Sequence, residues 1–192
     1  MKDSFSRGPV LLVIDVQRAF DDADYWGPRN NPACEANIAA LLKHWHEQNW
    51  PVVLVKHDST TSGSPLAPGA EGNRFKEIPG LEGDLLISKR VNSVFYGDPD
   101  LDAWMHEHGL TQLVICGITT NHCCETTARM AGNLGYDTYF VLDATHTFDR
   151  RSPDGELVKA DELARVTATN LHGEFAAVTS TRAVLEAWPP NW

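Results

Sequence analysis

Long apolar runs are missing from this 192-residue chain. None approaches the roughly 20 residues that cross a bilayer, and Met1 to Gly8 is polar, unlike a secretory leader. Positive charge is also scarce: 16 Lys and Arg stand against 26 Asp and Glu, a formal net charge of −10. A field of that sign repels phosphate, which argues against nonspecific binding to nucleic acid or to an anionic membrane. Cysteine is sparse. The four residues Cys34, Cys116, Cys123 and Cys124 form no Cys-x-x-Cys pair, so neither a disulfide scaffold nor a thiolate zinc site is expected. These shortages together predict a reduced, cytoplasmic protein without nucleic-acid or membrane partners. No Gly-x-Gly-x-x-Gly follows the first apolar run and no P-loop occurs, which removes two common nucleotide sites. Repeats, linkers and low-complexity tracts are absent too.

What the chain has is a steady alternation of apolar runs and amphipathic stretches. Pro9 to Asp15 is an unbroken apolar run ending in an acid, the pattern of a parallel strand covered on both faces. Further strands are expected at Pro51–His57, Leu85–Lys89, Gln112–Gly117, Tyr136–Asp143 and Phe175–Thr179. A helix is expected over Pro32–Asn49, where Ile38, Leu41, Leu42 and Trp45 follow helical spacing. Another should start at Asp98-Pro99, bury Leu101, Trp104, Met105 and His108, and stop at Gly109. Others should follow Gly117 and span Asp161–His172 and Thr181–Trp188. Arg18–Asn31 reads as a loop whose aromatics form a pocket wall or a satellite cluster, and Asp58–Asp84 and Ala144–Lys159 as polar loops. Such alternation predicts an α/β fold. The expectation is one domain over residues 1–192, a three-layer α/β/α sandwich on a mostly parallel six-stranded sheet.

The chemistry gathers around Cys116 to Arg129, which reads as strand, turn and helix. Cys123 falls in the first helical turn. Free backbone N–H groups and the positive end of the dipole gather there, which favours a thiolate. Thr120 or Asn121 could cap that helix. Plain packing is the other reading of the cysteine. Asp15 ends the first strand, Lys89 ends the third and Cys123 follows the fourth, so a parallel sheet puts an acid, a cation and a thiol at one edge. A turn-forming aspartate or a structural ion pair would look the same. Phe20, His57, Asn92, Phe95, Tyr96, His122 and His146 fall at that edge and are candidates for a substrate pocket, or for packing and solvation. His122 is not expected to pair with Cys123, because adjacent helical positions diverge.

These pieces together resemble the isochorismatase-like cysteine hydrolases, which include nicotinamidases, N-carbamoylsarcosine amidases and related amidases. The resemblance rests on Leu12-Val13-Ile14-Asp15-Val16-Gln17, on Lys89 with Ser93 and Phe95, on Gly117-Ile118-Thr119-Thr120 with Cys123 and Thr127-Ala128, and on Gly135-Tyr136 to Asp143-Ala144. It implies an isochorismatase-like, Rossmann-like sheet and a catalytic triad of Asp15, Lys89 and Cys123. It also implies a cis peptide at Ile118–Thr119 and an oxyanion hole formed by the Thr119 and Cys123 N–H groups. The implied reaction is hydrolysis of a small amide, lactam or ureido compound, with Cys124 facing the core and inert. Cys116–Arg129 with Asp143–Asp149 looks most like a bacterial subgroup that includes streptothricin hydrolase. The nicotinamidases' metal-binding Asp-x-His pair has no counterpart, since Asp21–Asn31 lacks histidine. No metal and no other cofactor is therefore expected. The family usually forms homo-oligomers, and Trp188 and Trp192 are candidates for an interface or for capping the core. Two alternatives stay open: an isochorismatase-type vinyl-ether hydrolase, and a non-catalytic thiol-based binding or redox protein.

Overall fold

A computed structural model describes residues 8–189; the Trp192 interface expectation lies outside them. Strand β1 (Val10–Ile14) is followed by a 3-10 turn at Arg18–Asp21, the short helix α1 (Ala23–Trp26) and helix α2 (Cys34–Gln48). Then come β2 (Val52–His57), β3 (Leu85–Lys89), α3 (Leu101–Glu107) and β4 (Gln112–Ile118). A π-type turn at Thr120–Cys124 leads into α4 (Glu125–Asn133). The rest comprises β5 (Asp137–His146), a small antiparallel ribbon of β6 (Arg150–Arg151) and β7 (Leu157–Val158), α5 (Ala160–Leu171), β8 (Ala177–Thr179) and α6 (Thr181–Glu186).

Six strands form one sheet in the order β3-β2-β1-β4-β5-β8, and every pairing is parallel. Successive strand residues face opposite sides, which divides the core in two. Leu11, Val13, Val114, Cys116, Tyr139 and Val141 pack against Ile38, Leu41, Leu42 and Trp45 of α2 and Val184 of α6. Val10, Leu12, Ile14, Leu113, Ile115 and Phe140 pack on the other side, against Leu101 and Met105 of α3, Ala128 and Ala131 of α4, and Leu171 of α5. The result is the three-layer α/β/α arrangement. The chain runs outward from β1 to β3 and then returns to place β4 on the other side of β1. That reversal opens a crevice beyond the C-terminal ends of β1 and β4, where open α/β sheets bind ligands.

Several local expectations are corrected. Asp98-Pro99 does not start a helix: its peptide is cis, and Asp100 caps α3 by accepting a hydrogen bond from the Ala103 N–H at 3.0 Å. His108 lies past the end of α3 and is exposed, so it is no part of the buried stripe. Strand β5 runs three residues past Asp143, and the polar segment after it contains the β6–β7 ribbon. The last helix stops at Glu186; Trp188 packs on Tyr139, Trp45 and Trp50, capping the core. None of the described helices is long and apolar enough to cross a membrane.

Candidate active site

Asp15 follows β1 in a left-handed backbone conformation, φ 51°, a state that costs a non-glycine residue about 1 kcal/mol or more and tends to occur where a side chain must be aimed. Its N–H donates to the Val55 carbonyl at 3.0 Å, which ties the turn to β2. Beside it Gly117 passes at φ 126°. A Cβ there would lie 2.1 Å from the Ile14 carbonyl oxygen, so only glycine lets β4 approach the end of β1. The Ile118–Thr119 peptide that follows is cis, and the chain then winds into the wide turn that carries Cys123.

Lys89 ends β3, in register with His57 of β2. Its side chain reaches across the sheet edge, fully buried. Nζ lies 2.6 Å from Asp15 Oδ2, 3.3 Å from Cys123 Sγ and 3.1 Å from His57 Nδ1. An ammonium has three hydrogens and no acceptor, so these three contacts use it completely. His57 Nδ1 must accept, which leaves the ring neutral with its proton on Nε2. Burial lowers the His57 pKa and the Lys89 charge lowers it further. Burial also acts to lower the Lys89 pKa, but the Asp15 and Cys123 partners outweigh it and the pKa is raised. His57 is clamped through its backbone: its N–H donates to Gln17 Oε1 at 2.9 Å, and its carbonyl accepts from Gln17 Nε2 and Asn73 Nδ2, each at 3.1 Å.

The surroundings of Cys123 act in both directions on its thiol. Burial pushes its pKa up and the Asp15 carboxylate adds to that, against the opposing pull of Lys89. Its directed contacts are Lys89 and a long one, 3.8 Å, to Asn92 Oδ1. Asp15 Oδ1 is buried with no hydrogen-bond partner, and the carboxylate lies within 4.8 Å of the sulfur. The helix-capping expectation is also corrected. Thr120 Oγ1 donates to Thr145 Oγ1 at 2.8 Å and Asn121 Oδ1 accepts from Thr147 Oγ1 at 2.5 Å, so both side chains tie the turn to the end of β5. Cys124 is fully buried in the core, where burial raises its pKa well above the usual thiol value.

A cavity of about 230 Å³ opens onto Asp15, Cys123 and Thr119. Of the pocket candidates, Phe20, His57, Asn92 and His122 line it. Three are placed elsewhere. Phe95 stacks on Tyr136 at 5.8 Å, and Tyr96 is 69 % exposed. His146 is sealed inside, with its ring edge-on to Phe148. Tyr25 and Trp26 of α1 also line it, as the pocket-wall reading of the Arg18–Asn31 aromatics expected, whereas Ser59, Thr61, Ser64 and Leu66, from the loop after β2, were not singled out one by one in the sequence. For those four the one available signal was the length of the Asp58–Asp84 loop.

Asp15, His57 and Cys123 also bring three potential metal-ligand atoms within 4.8 Å of one another. The residues do not fit a cation, because the Lys89 ammonium already donates to all three groups and a metal would be set against it.

Comparison with known proteins agrees with this architecture. Residues 9–171 match the isochorismatase domain. The chain is 40 % identical over 173 residues to the uncharacterized isochorismatase family protein YrdC of Bacillus subtilis, covering 90 % of this chain and 91 % of that protein. A crystal structure of a putative hydrolase of the isochorismatase family from Chromobacterium violaceum superposes with a TM-score of 0.88 at 37 % identity, over 95 % of this chain and 94 % of the other. Streptothricin hydrolase of Streptomyces noursei is 28 % identical over 94 % of this chain and 66 % of its own length. With the switch-point crevice and the match running from β1 to the end of α5, the chain belongs to the isochorismatase family of hydrolases.

Proposed function

We propose that this protein is a cysteine hydrolase that cleaves a C–N bond of a small amide, lactam or ureido compound through a thioester on Cys123. The observation that carries the reading is the buried contact set in which one lysine joins an acid with a free oxygen to a thiol. Asp15 Oδ1 takes the thiol proton as Sγ attacks the substrate carbonyl carbon, and Lys89 steadies the sulfur as it becomes negative. The Thr119 and Cys123 N–H groups hold the oxyanion of the tetrahedral intermediate; one such donor is typically worth about 3–4 kcal/mol. Asp15 returns the proton to the leaving nitrogen, which departs as the amine or ammonia. Water then gives its proton to Asp15, attacks the thioester carbonyl and releases the acid, and the sulfur recovers its proton from Asp15.

Relatives named nicotinamidase 3 in Arabidopsis thaliana and ureidoacrylate amidohydrolase in Variovorax paradoxus support C–N cleavage. Four free cysteines suit a reducing cytoplasm. Exposed Leu86, Val91 and Tyr96 on and after the edge strand β3 offer an apolar face for a homo-oligomer. The test is amine release from a panel of amides, lactams and ureido compounds by wild type and Cys123→Ala. Release by wild type alone supports the thioester route. Equal release by both removes the thiol from the mechanism and leaves direct attack of water on the C–N substrate without a covalent intermediate.

A further inference from the structure

Among the described residues, the cavity beside Cys123 carries no uncommitted positive charge. Among the described residues no lysine or arginine lines it; Lys89 lies just behind Asp15, His57 and Cys123, and all three of its N–H bonds are spent on them. Asp15 cancels its charge, and moving the thiol proton from Sγ to Asp15 leaves that sum at zero. His57 is neutral by the hydrogen-bond argument above. Burial, and then the charge of Arg150, keep His122 neutral as well. Arg150 itself is exposed in β6 and does not line the cavity. The acceptors Asp15 Oδ1 and Asn92 Oδ1 face the nucleophile, and the whole chain carries −10. A substrate carboxylate would lose its water here and find neutral hydroxyl and imidazole donors, beside the acceptors Asp15 and Asn92, but no free cation to offset its charge. Phe20, Tyr25, Trp26 and Leu66 add flat and apolar surface to the lining.

We propose that this site selects small uncharged amides bearing a flat or apolar group and rejects those bearing a carboxylate. The inference rests on the cysteine-hydrolase reading, and its test uses labelling of the thiol, so it does not depend on finding the natural substrate. Iodoacetamide and iodoacetate form the same bond: Sγ attacks the methylene carbon, iodide leaves and the thiol proton passes to Asp15 and then to solvent. They differ only in whether the far end is a neutral amide or a carboxylate.

The rate constant of each reagent at Cys123, followed by intact mass and peptide mapping, is divided by its rate constant with glutathione. Salt at about 0.5 M screens the general charge of the protein. The expected normalised preference for iodoacetamide is at least about tenfold. N-phenyl iodoacetamide should be faster again by about fivefold, a gain that Tyr25→Ala removes. Thr61→Arg, at an exposed position of the wall, should raise the iodoacetate rate severalfold. A normalised ratio near one, or a preference for iodoacetate, overturns the selectivity. Failure of both reagents to label Cys123 overturns the nucleophile, and with it both the hydrolase mechanism and this inference.

Discussion

At the scale of single residues, the buried Lys89 explains most of the site. Its ammonium is tolerable in the interior only because Asp15 neutralises it and His57 and Cys123 take up its remaining hydrogens. Asp15→Asn leaves that charge without an anion, so it should cost about 3 kcal/mol or more of stability as well as the activity. The double variant Asp15→Asn/Lys89→Met should regain most of the stability and none of the activity. Urea unfolding beside an amine-release assay separates the two effects. His146 provides a second residue-scale expectation. It is fully buried with neither ring nitrogen hydrogen-bonded, and burial, then Arg29 and Lys76, push its pKa down to about 3 against the pull of Glu35, whose Oε1 lies 3.9 Å from Nε2. The unfolded chain takes up that proton near pH 6.5. Between pH 6.5 and about 3 the unfolded state therefore holds more protons, and stability falls as the pH falls. The loss at pH 5 is roughly 2 kcal/mol. His146→Leu should reduce the slope of the stability curve between pH 7 and 5, a window above most carboxylate titrations, with the remainder left to His57 and His122, whose pKa values burial also lowers; an unchanged slope would assign the acid sensitivity to other groups.

At the scale of elements, the strand ends decide the site. Asp15, Lys89 and the approach to Cys123 were legible because parallel strands bring their C-terminal ends to one edge, and each residue stood next to a clear apolar run. The role of His57 in holding Lys89 was not legible, since it depends on how far two side chains reach across neighbouring strands. His146 misled for a related reason. The sheet register slips between Ile115 and Gly117, β5 continues to pair with β4 beyond Asp143, and the histidine is carried into the interior. Phe95 and Tyr96 follow β3 closely in sequence, yet the 3-10 turn at Val94–Tyr96 directs them away from the cavity. The loop residues Ser59, Thr61 and Ser64 carried no periodicity to place them. The close crossing of β1 and β4 has a direct test. Gly117→Ala sets a methyl group against the Ile14 carbonyl and forces a residue with a side chain into a glycine conformation. A loss above about 3 kcal/mol is expected in chemical denaturation; a loss under about 1 kcal/mol would show that the strands can part without harm.

At the scale of the whole molecule, the two-sided core sets the sheet and leaves one edge of it free for chemistry. Unbroken apolar strands separated by amphipathic helices were enough to read the α/β/α layering, because burial on both faces leaves no alternating pattern in the strands. The closure of the far end was less legible. Trp188 lies beyond the last helix and packs on Tyr139 at 4.7 Å and on Trp45 and Trp50 at 6.2 Å. Trp188→Ala should cost about 2 kcal/mol, less than a fully buried tryptophan because the ring is half-exposed. Thermal unfolding checks it, with the labelling rate of Cys123 expected to stay unchanged at the opposite side of the structure. The most direct test of the mechanism is rapid-quench intact-mass spectrometry on a turning-over amide, with digestion to locate any adduct. The expected result is an acyl group on the Cys123 peptide that appears and decays at the rate of turnover and is absent from Cys123→Ala. Turnover with no adduct on Cys123, together with undiminished activity in Cys123→Ala, would contradict the thioester mechanism.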